Sequence, residues 1–413
     1  MSFCKSWGVT MNEDKKIPEG WQWVKLGDIL KYEQPYKYIV KSTEYKDSNS
    51  IPVLTAGKSF ILGYTDEKDG IYTNLPVIIF DDFTTESKFI KFPFKVKSSA
   101  LKFLKEKSDN FVLKFIFESM QLIKFNNVGG EHKRRWISEF QLFKIPLPPL
   151  PEQRKIAEIL ETVDNAIEKT DAIIEKYKRL KQGLMQDLLT KGIDENWQIR
   201  DEKTHKFKDS PLGRIPEEWE VIMLEKCGKI VTGSTPSTEI PQYYGDEFQF
   251  ISPEDIQDNK YILETKKMLS KQGFNLQRKL PPKSVCVVCI GSTIGKVALT
   301  STFSSTNQQI NTIVPRPELW EPEALYYFVS FYIQNPLRME AGMQAVPIVN
   351  KGKFSKILIP LPPLPEQQRI AAVLSQIDEA IEKEQAYKEK LERIKKGLME
   401  DLLTGRVRVN SLL

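Results

Sequence analysis

Histidine is nearly absent from this 413-residue chain. The two present, His132 and His205, cannot supply a His-based metal or catalytic cluster. Cysteine is scarce as well. Cys4, Cys227, Cys286 and Cys289 are too few for a disulfide scaffold. Cys286 and Cys289 have CxxC spacing, but they lie in an apolar, strand-like run, where residues three apart face opposite sides. No second Cys or His pair stands nearby, so zinc is not expected and no metal is assigned. No apolar run approaches the ~20 residues that a membrane span needs. The opening MSFCKSWGVTMNEDKK lacks the apolar stretch of a signal peptide. These absences lead to the expectation of a reduced, cytoplasmic protein without a membrane. Charge of one sign is also in short supply: the net charge is +5 and the pI about 8.7. That balance permits a polyanionic partner without demanding one.

What is present is core-forming material, with 40% hydrophobic and 10% aromatic residues, in a length suited to two or three domains. The chain is organised by an internal repeat. Residues 145–193 begin IPLPPLPEQ and residues 359–407 begin IPLPPLPEQ again; 29 of the 49 aligned positions are identical without a gap. A fainter repeat lies upstream, IPEGWQWVKLGDIL from Ile17 and IPEEWEVIMLEKCGKI from Ile215. Each of these copies opens a long stretch, roughly 45–144 and 231–358, and the two stretches do not resemble each other closely. The frame is duplicated and the inserts have diverged.

Four prolines, Pro146, Pro148, Pro149 and Pro151, fix an extended corner that no helix interior could hold. Pro151 and Pro365 are then expected at the first helical position, with Glu152 and Glu366 in the first turn, where a negative charge suits the helix dipole. Beyond them, apolar residues recur at helical spacing. In the first copy they are Ile156, Leu160, Val163, Ile167, Ile174, Tyr177, Leu184 and Leu188; in the second they are Ile370, Leu374, Ile377, Ile381, Leu391, Ile394, Leu398 and Leu402. Each helix should run about 36–38 residues, or about 55 Å. A helix that long with one apolar stripe needs a partner. The expected partner is the other copy, in antiparallel fashion, which gives an approximate twofold axis; the alternative is parallel pairing with another protein's helices. A rod of that length matches about sixteen base pairs of B-DNA, so two unlike domains on it would suit two unlike half-sites at a fixed spacing.

The duplicated PLPPLPEQ corners, the AIEK and KGLM…DLLT blocks and the IPEEWE entry resemble the specificity subunit of type I restriction–modification systems, from Ile17 to Val409. The resemblance implies a mixed α/β (α+β) fold with two globular target-recognition domains joined by the family's two long antiparallel conserved helices, pseudo-twofold symmetric. On this chain those would be 1–144 for the first domain, 145–193 for the first corner and helix, 194–358 for a linker and the second domain, and 359–413 for the second corner and helix. It further implies a non-catalytic subunit that reads a bipartite, asymmetric site in double-stranded DNA. Two modification subunits would dock on the helices and restriction subunits could join them. S-adenosylmethionine, ATP and Mg would be bound by those partner subunits, and no cofactor by this chain. The second domain carries the better family likeness, in GSTPSTEIPQYYGDEFQFISPEDI and SVCVVCIGSTIGKVAL; the first lacks the TP opening and reads IPVLTAGKSFILGYTDE instead.

A stand-alone DNA-modifying enzyme with unusual motifs is the competing reading. Adenine-N6 methyltransferases carry a D/N-P-P-Y/F loop, and the Pro-Pro pairs here stand in LPPL and LPPK. GSTIGKV superficially resembles a phosphate-binding loop, but only three residues separate its glycines and Val297 stands where Ser or Thr should hold Mg. A tight turn between strands is expected there. For DNA contact the strongest cluster is GGEHKRRW, with His132, Lys133, Arg134 and Arg135; the bland alternative is a solvated basic loop. Gln344 stands at the matching place in the second domain, and Lys58, Tyr64, Ser234, Thr235, Ser292, Thr293 and Lys296 are further loop candidates. The Lys-rich helix face of Lys176, Lys178, Arg179 and Lys181 could touch phosphates, or simply be solvated.

Overall fold

The structure, a computed structural model of the chain, describes residues 16–46, 48–55, 60–123, 134–341 and 347–412. The chain forms two compact units: Met1–Asp171 with Ala386–Leu413, and Ala172–Gln385.

In the first unit the entry segment becomes β1 (Gln22–Lys25). It pairs antiparallel with the strand of the Pro-rich corner, residues Lys144–Leu147, which is β9 in chain order. A two-stranded ribbon consists only of edges, so Pro146 can lie in it without breaking a ladder. Between these strands stand two sheets. The larger has the order β2 (Leu30–Glu33), β8 (Leu101–Glu106), β5 (Val77–Asp81), β6 (Ser87–Ile90). The smaller has the order β4 (Ile61–Thr65), β3 (Ile51–Leu54), β7 (Lys95–Val96). Val77 to Phe80 of β5 are apolar without alternation because both faces of the strand are covered. Ile78 and Phe80 pack with Leu113, Ile116 and Met120 of α1 (Leu113–Gln121), while Val77 and Ile79 pack with Leu54 and Val96 of the smaller sheet.

The second unit repeats this plan. A hairpin of β10 (Phe207–Ser210) and β11 (Gly213–Pro216) precedes β12 (Glu220–Met223), and β12 pairs antiparallel with the second corner strand, β22 (Leu358–Leu361). The larger sheet has the order β13 (Gly228–Thr232), β21 (Ile310–Pro315), β18 (Val285–Val288), β19 (Val297–Thr300), extended by β16 (Tyr261–Ile262). The smaller is β14 (Tyr244–Gly245), β17 (Lys267–Leu269), β15 (Phe248–Ile251), β20 (Ser304–Thr306). In both small sheets one antiparallel and one parallel neighbour flank the same strand: β4 and β7 flank β3, and β17 and β20 flank β15. Two inserts of unlike sequence therefore share one core topology, to which the second adds β14 and β16. Cys286 and Cys289 project into different cores on the two faces of the large sheet, and burial pushes their thiols up to about 12 and about 11.

The long helices are α2 (Leu150–Thr190) and, after α3 (Pro322–Tyr332), α4 (Leu364–Leu402). At 41 and 39 residues they are longer than the spacing predicted. Each begins one residue early, so Pro151 and Pro365 stand at the second helical position, where an N–H is equally unneeded. In the first unit the start of α2 meets the end of α4: Ile156 and Leu160 pack with Met399, Leu402 and Leu403. In the second unit the end of α2 meets the start of α4: Leu188 and Leu189 pack with Ile370, Ala371 and Leu374. Within each unit the pairing is antiparallel. Ile156, Leu160, Ile370, Leu374 and Ile381 are buried, whereas Val163, Ile167, Leu184, Ile377 and Leu398 are only half-buried. Ile174 and Leu391, farther along the helices, are buried as well.

Candidate nucleic-acid interface

The corners hold each domain to its helix. Glu152 is almost fully buried and accepts Trp21 Nε1 at 3.0 Å, Arg408 Nε at 2.7 Å and Arg408 Nη2 at 2.9 Å. Its counterpart Glu366 accepts Trp219 Nε1 at 3.0 Å, Arg200 Nη2 at 3.1 Å and Ile193 N at 2.8 Å, and also binds Arg200 Nη1. The neighbouring amides repeat too. Gln153 accepts from Val112 N and donates to Pro148 O; Gln367 accepts from Glu321 N and donates to Pro362 O. Pro-Glu-Gln is therefore a joint between corner, entry strand and the globular domain, well beyond the dipole role its position suggests.

With the joints fixed, the loops at one end of each large sheet form a rim. In the second unit these follow β13, join β18 to β19, and precede β21. Gly233 N donates to Ile310 O at 3.2 Å and Ser234 N to Thr306 O at 3.0 Å. Gly233 is required there, since a Cβ would stand 2.1 Å from Thr306 O. The turn of Gly291 and Gly295, with φ of +102° and +91°, is the tight strand-to-strand turn expected of GSTIGKV. Gly291 N donates to Pro347 O at 3.0 Å. Ser234 Oγ donates to Gln277 Oε1 at 2.7 Å, and Thr235 Oγ1 to Gln308 Oε1 at 2.6 Å. Ser292 is exposed and Thr293 half-buried in the turn; Lys296 turns inward and donates to Ile256 O at 3.2 Å. Thus Ser234, Thr235, Ser292 and Thr293 do share one rim, while Lys296 is a brace within it. The rim also holds Asn307, Gln308, Gln309 and the exposed Arg278, whose guanidinium donates to the carbonyls of Thr232 and Gly233. The sequence singles out none of the four. The polar run TNQQ marks a turn, but nothing in its spacing places it beside Gly233.

In the first unit the same end of the sheet carries the turn 82–86. Asp81 accepts Phe83 N and Thr84 Oγ1. Asp82 pairs with Lys102 at 3.0 Å, both nearly buried, and accepts Trp136 N at 3.0 Å. That last bond places the short helix Arg135–Ser138 beside the turn. Arg134, just ahead of it, is exposed and remains a contact candidate. Arg135, the next residue, is only 8% exposed, because the first helical residue turns into the domain next to the buried Trp136. Tyr64 is half-buried in β4 of the smaller sheet. Lys58, His132, Lys133 and Gln344 lie outside the described residues.

Charged clusters tie the long helices to the domains. In the first unit Lys114 and Lys395 alternate with Glu118 and Asp164, at 2.5–3.3 Å. Burial opposes the charge on Lys114, but Glu118 and Asp164 outweigh it and hold its pKa above the ordinary lysine value. Burial likewise opposes the charge on Asp164, and Lys395 and Lys114 outweigh it and hold its carboxyl below the usual range. In the second unit Lys181 pairs with Asp378 at 2.5 Å, and Tyr327 donates to the same carboxylate. Lys181 is therefore an internal pin and leaves the outer Lys-rich face.

The family described as type I restriction modification DNA specificity domain matches residues 18–178 and 216–393. The chain is 34% identical to the type I restriction enzyme EcoR124I/EcoR124II specificity subunit of Escherichia coli, over 86% of each protein. It is 28% identical to the type I restriction enzyme MjaVIII specificity subunit of Methanocaldococcus jannaschii, over 100% of this chain and 99% of that one. The solved S subunit of a type I restriction–modification system from M. genitalium shares the fold, with a TM-score of 0.64 over 96% of this chain and 98% of that one, at 12% identity.

Proposed function

Because the chain belongs to the family of type I restriction–modification DNA specificity subunits, we propose that each unit reads one half of a bipartite, asymmetric site in double-stranded DNA, and that the helix pair docks two modification subunits. The chain is a recognition subunit and not itself the enzyme. The observation that carries the reading is one core sheet topology built twice, with unlike polar rims at the same end of each large sheet. Like frames give two readers, and unlike rims give two different half-sites.

The helices supply the support for docking. Ile173 and Leu180 on α2 are 40% and 46% exposed; Tyr387 and Ile394 on α4 are 51% and 42% exposed. Within each pair the spacing of seven keeps both residues on one face, and the two pairs are repeat counterparts. Two like apolar surfaces suit two copies of one partner. In this reading S-adenosylmethionine, ATP and Mg are bound by the modification and restriction subunits, and this chain binds none of them. The setting is the cytoplasm; among the described residues no helix is long and apolar enough to cross a membrane.

The test is reconstitution. The purified chain should transfer no methyl group and bind no S-adenosylmethionine, whereas sequence-specific methylation should appear once its modification subunit is added. The Leu180→Asp/Ile394→Asp variant should lose that assembly while each unit stays folded by circular dichroism. Methyl transfer by the rigorously purified single chain would defeat the reading in favour of a stand-alone enzyme.

A further inference from the structure

Three consecutive amides, Asn307, Gln308 and Gln309, form the loop between β20 and β21 on the rim of the second unit. Two of them are consumed by each other. Asn307 Nδ2 donates to Gln309 Oε1 at 2.9 Å, and Asn307 Oδ1 accepts Gln309 N at 3.0 Å. Gln309 O in turn accepts Cys289 N at 2.8 Å, which fixes the loop against the turn 291–295. The middle amide is presented. Gln308 is exposed, and its carbonyl oxygen is held by the Thr235 hydroxyl at 2.6 Å.

A glutamine carbonyl has two acceptor positions and its NH₂ two donors. Thr235 takes one acceptor position and restrains the side chain, so one acceptor and the amide N–H groups remain for a partner. An acceptor and a donor on one rigid amide match the exocyclic N6 amino group and N7 of adenine in the major groove. Arg278 is tethered at Thr232 and Gly233, beside Thr235 in the segment after β13, and it places an exposed cation where a phosphate would flank that base.

We infer that Gln308, oriented by Thr235, reads an adenine in the half-site recognised by the second unit. The inference rests on the reading above, that each unit recognises half of a duplex site.

The experiment uses the assembled complex of this chain with its modification subunit. The methylated motif is read by sequencing host DNA, and affinity is measured against duplexes of that motif. Gln308→Ala should make one A·T position degenerate in one half-site only, with affinity for the parent site falling roughly tenfold or more. Gln308→Glu, which keeps the shape but loses the donor to N7, should lose the same position. Thr235→Ala should weaken that position less, and Thr235→Ser should restore it. Melting temperatures matching the parent complex separate a lost contact from a lost fold. If the parent complex has no sequence preference at all, the half-site reading falls and takes this one with it. If the parent is specific but Gln308→Ala leaves every position and the affinity unchanged, or relaxes a G·C position or both half-sites, the assignment of Gln308 is overturned alone.

Discussion

Glu152 and Glu366 stand in equivalent first turns, yet their surroundings are not equally enclosed. Arg200, the partner of Glu366, is 7% exposed, while the side chain of Arg408, the partner of Glu152, is 29% exposed. Removing one member of a buried, hydrogen-bonded charge pair leaves the other uncompensated and costs about 3–5 kcal/mol. Glu366→Ala should lie in that range in denaturant titrations, and Glu152→Ala should cost less, because water can screen Arg408. Losses under about 1 kcal/mol for both would mean the joints are ornamental. The sequence shows why the corner is extended and why a carboxylate suits a first turn. It does not show the arginines, which arrive from the far side of a long insert: Arg408 lies 256 residues from Glu152 and Arg200 166 from Glu366. Spacing carries no signal over such distances. The burial of Arg135 was not legible for a related reason, since a basic run does not say which of its members turns inward.

Among the elements, the long helices were legible because a 3.6-residue period survives any change of surface residues. The shared sheet topology was not, because β5 and β18 need only apolar side chains on two covered faces, and VIIFD serves as well as VCVV. The contacts that fix α1 and α3 to the long helices differ in the same way. Salt links among Lys114, Glu118, Asp164 and Lys395 serve the first unit, while Tyr327 and Glu323 of α3 serve the second. Glu323 accepts Lys260 at 2.8 Å, Tyr261 at 2.7 Å and Ser375 at 2.8 Å. Burial opposes its charge, but these donors outweigh burial and hold the carboxyl at about 2, against an ordinary 4.5. A folded-state value below the unfolded one favours folding fully above pH 4.5, and that contribution is lost as pH falls toward about 2. Glu323→Gln should therefore melt lower than the parent at neutral pH and lose less stability between pH 4.5 and 2. Melting curves that run parallel across that window would rule the carboxylate out as a source of acid sensitivity.

For the whole molecule the decisive feature is register. Asp164 and Lys181 are 17 residues apart in α2, and their repeat counterparts Asp378 and Lys395 are 17 apart in α4. Asp164 pairs with Lys395 in the first unit and Lys181 with Asp378 in the second, so equal helix lengths separate the two pins. Asp171 pairs with Lys388 in the same antiparallel register, seven residues along each helix from the first pin. Ile174 lies between the two sets of pins, so an insertion after it removes no pin residue while lengthening α2 between them. Four residues add about 6 Å and leave the stripe about 40° out of phase; two residues turn it by about 200°. A gain of 6 Å is close to two base-pair steps of ~3.4 Å. The four-residue variant should read the same two half-sites across a longer non-specific gap. It should do so with some loss of melting temperature, because α4 keeps its original length. A matching four-residue insertion after Gln385, the position opposite in register, should recover that stability. The two-residue variant should lose activity, since its stripe faces away from α4. The methylated motif in cells carrying each variant is the readout. An active four-residue variant that keeps the parent spacing, or that changes the half-sites themselves, would show that the helices do not set the gap.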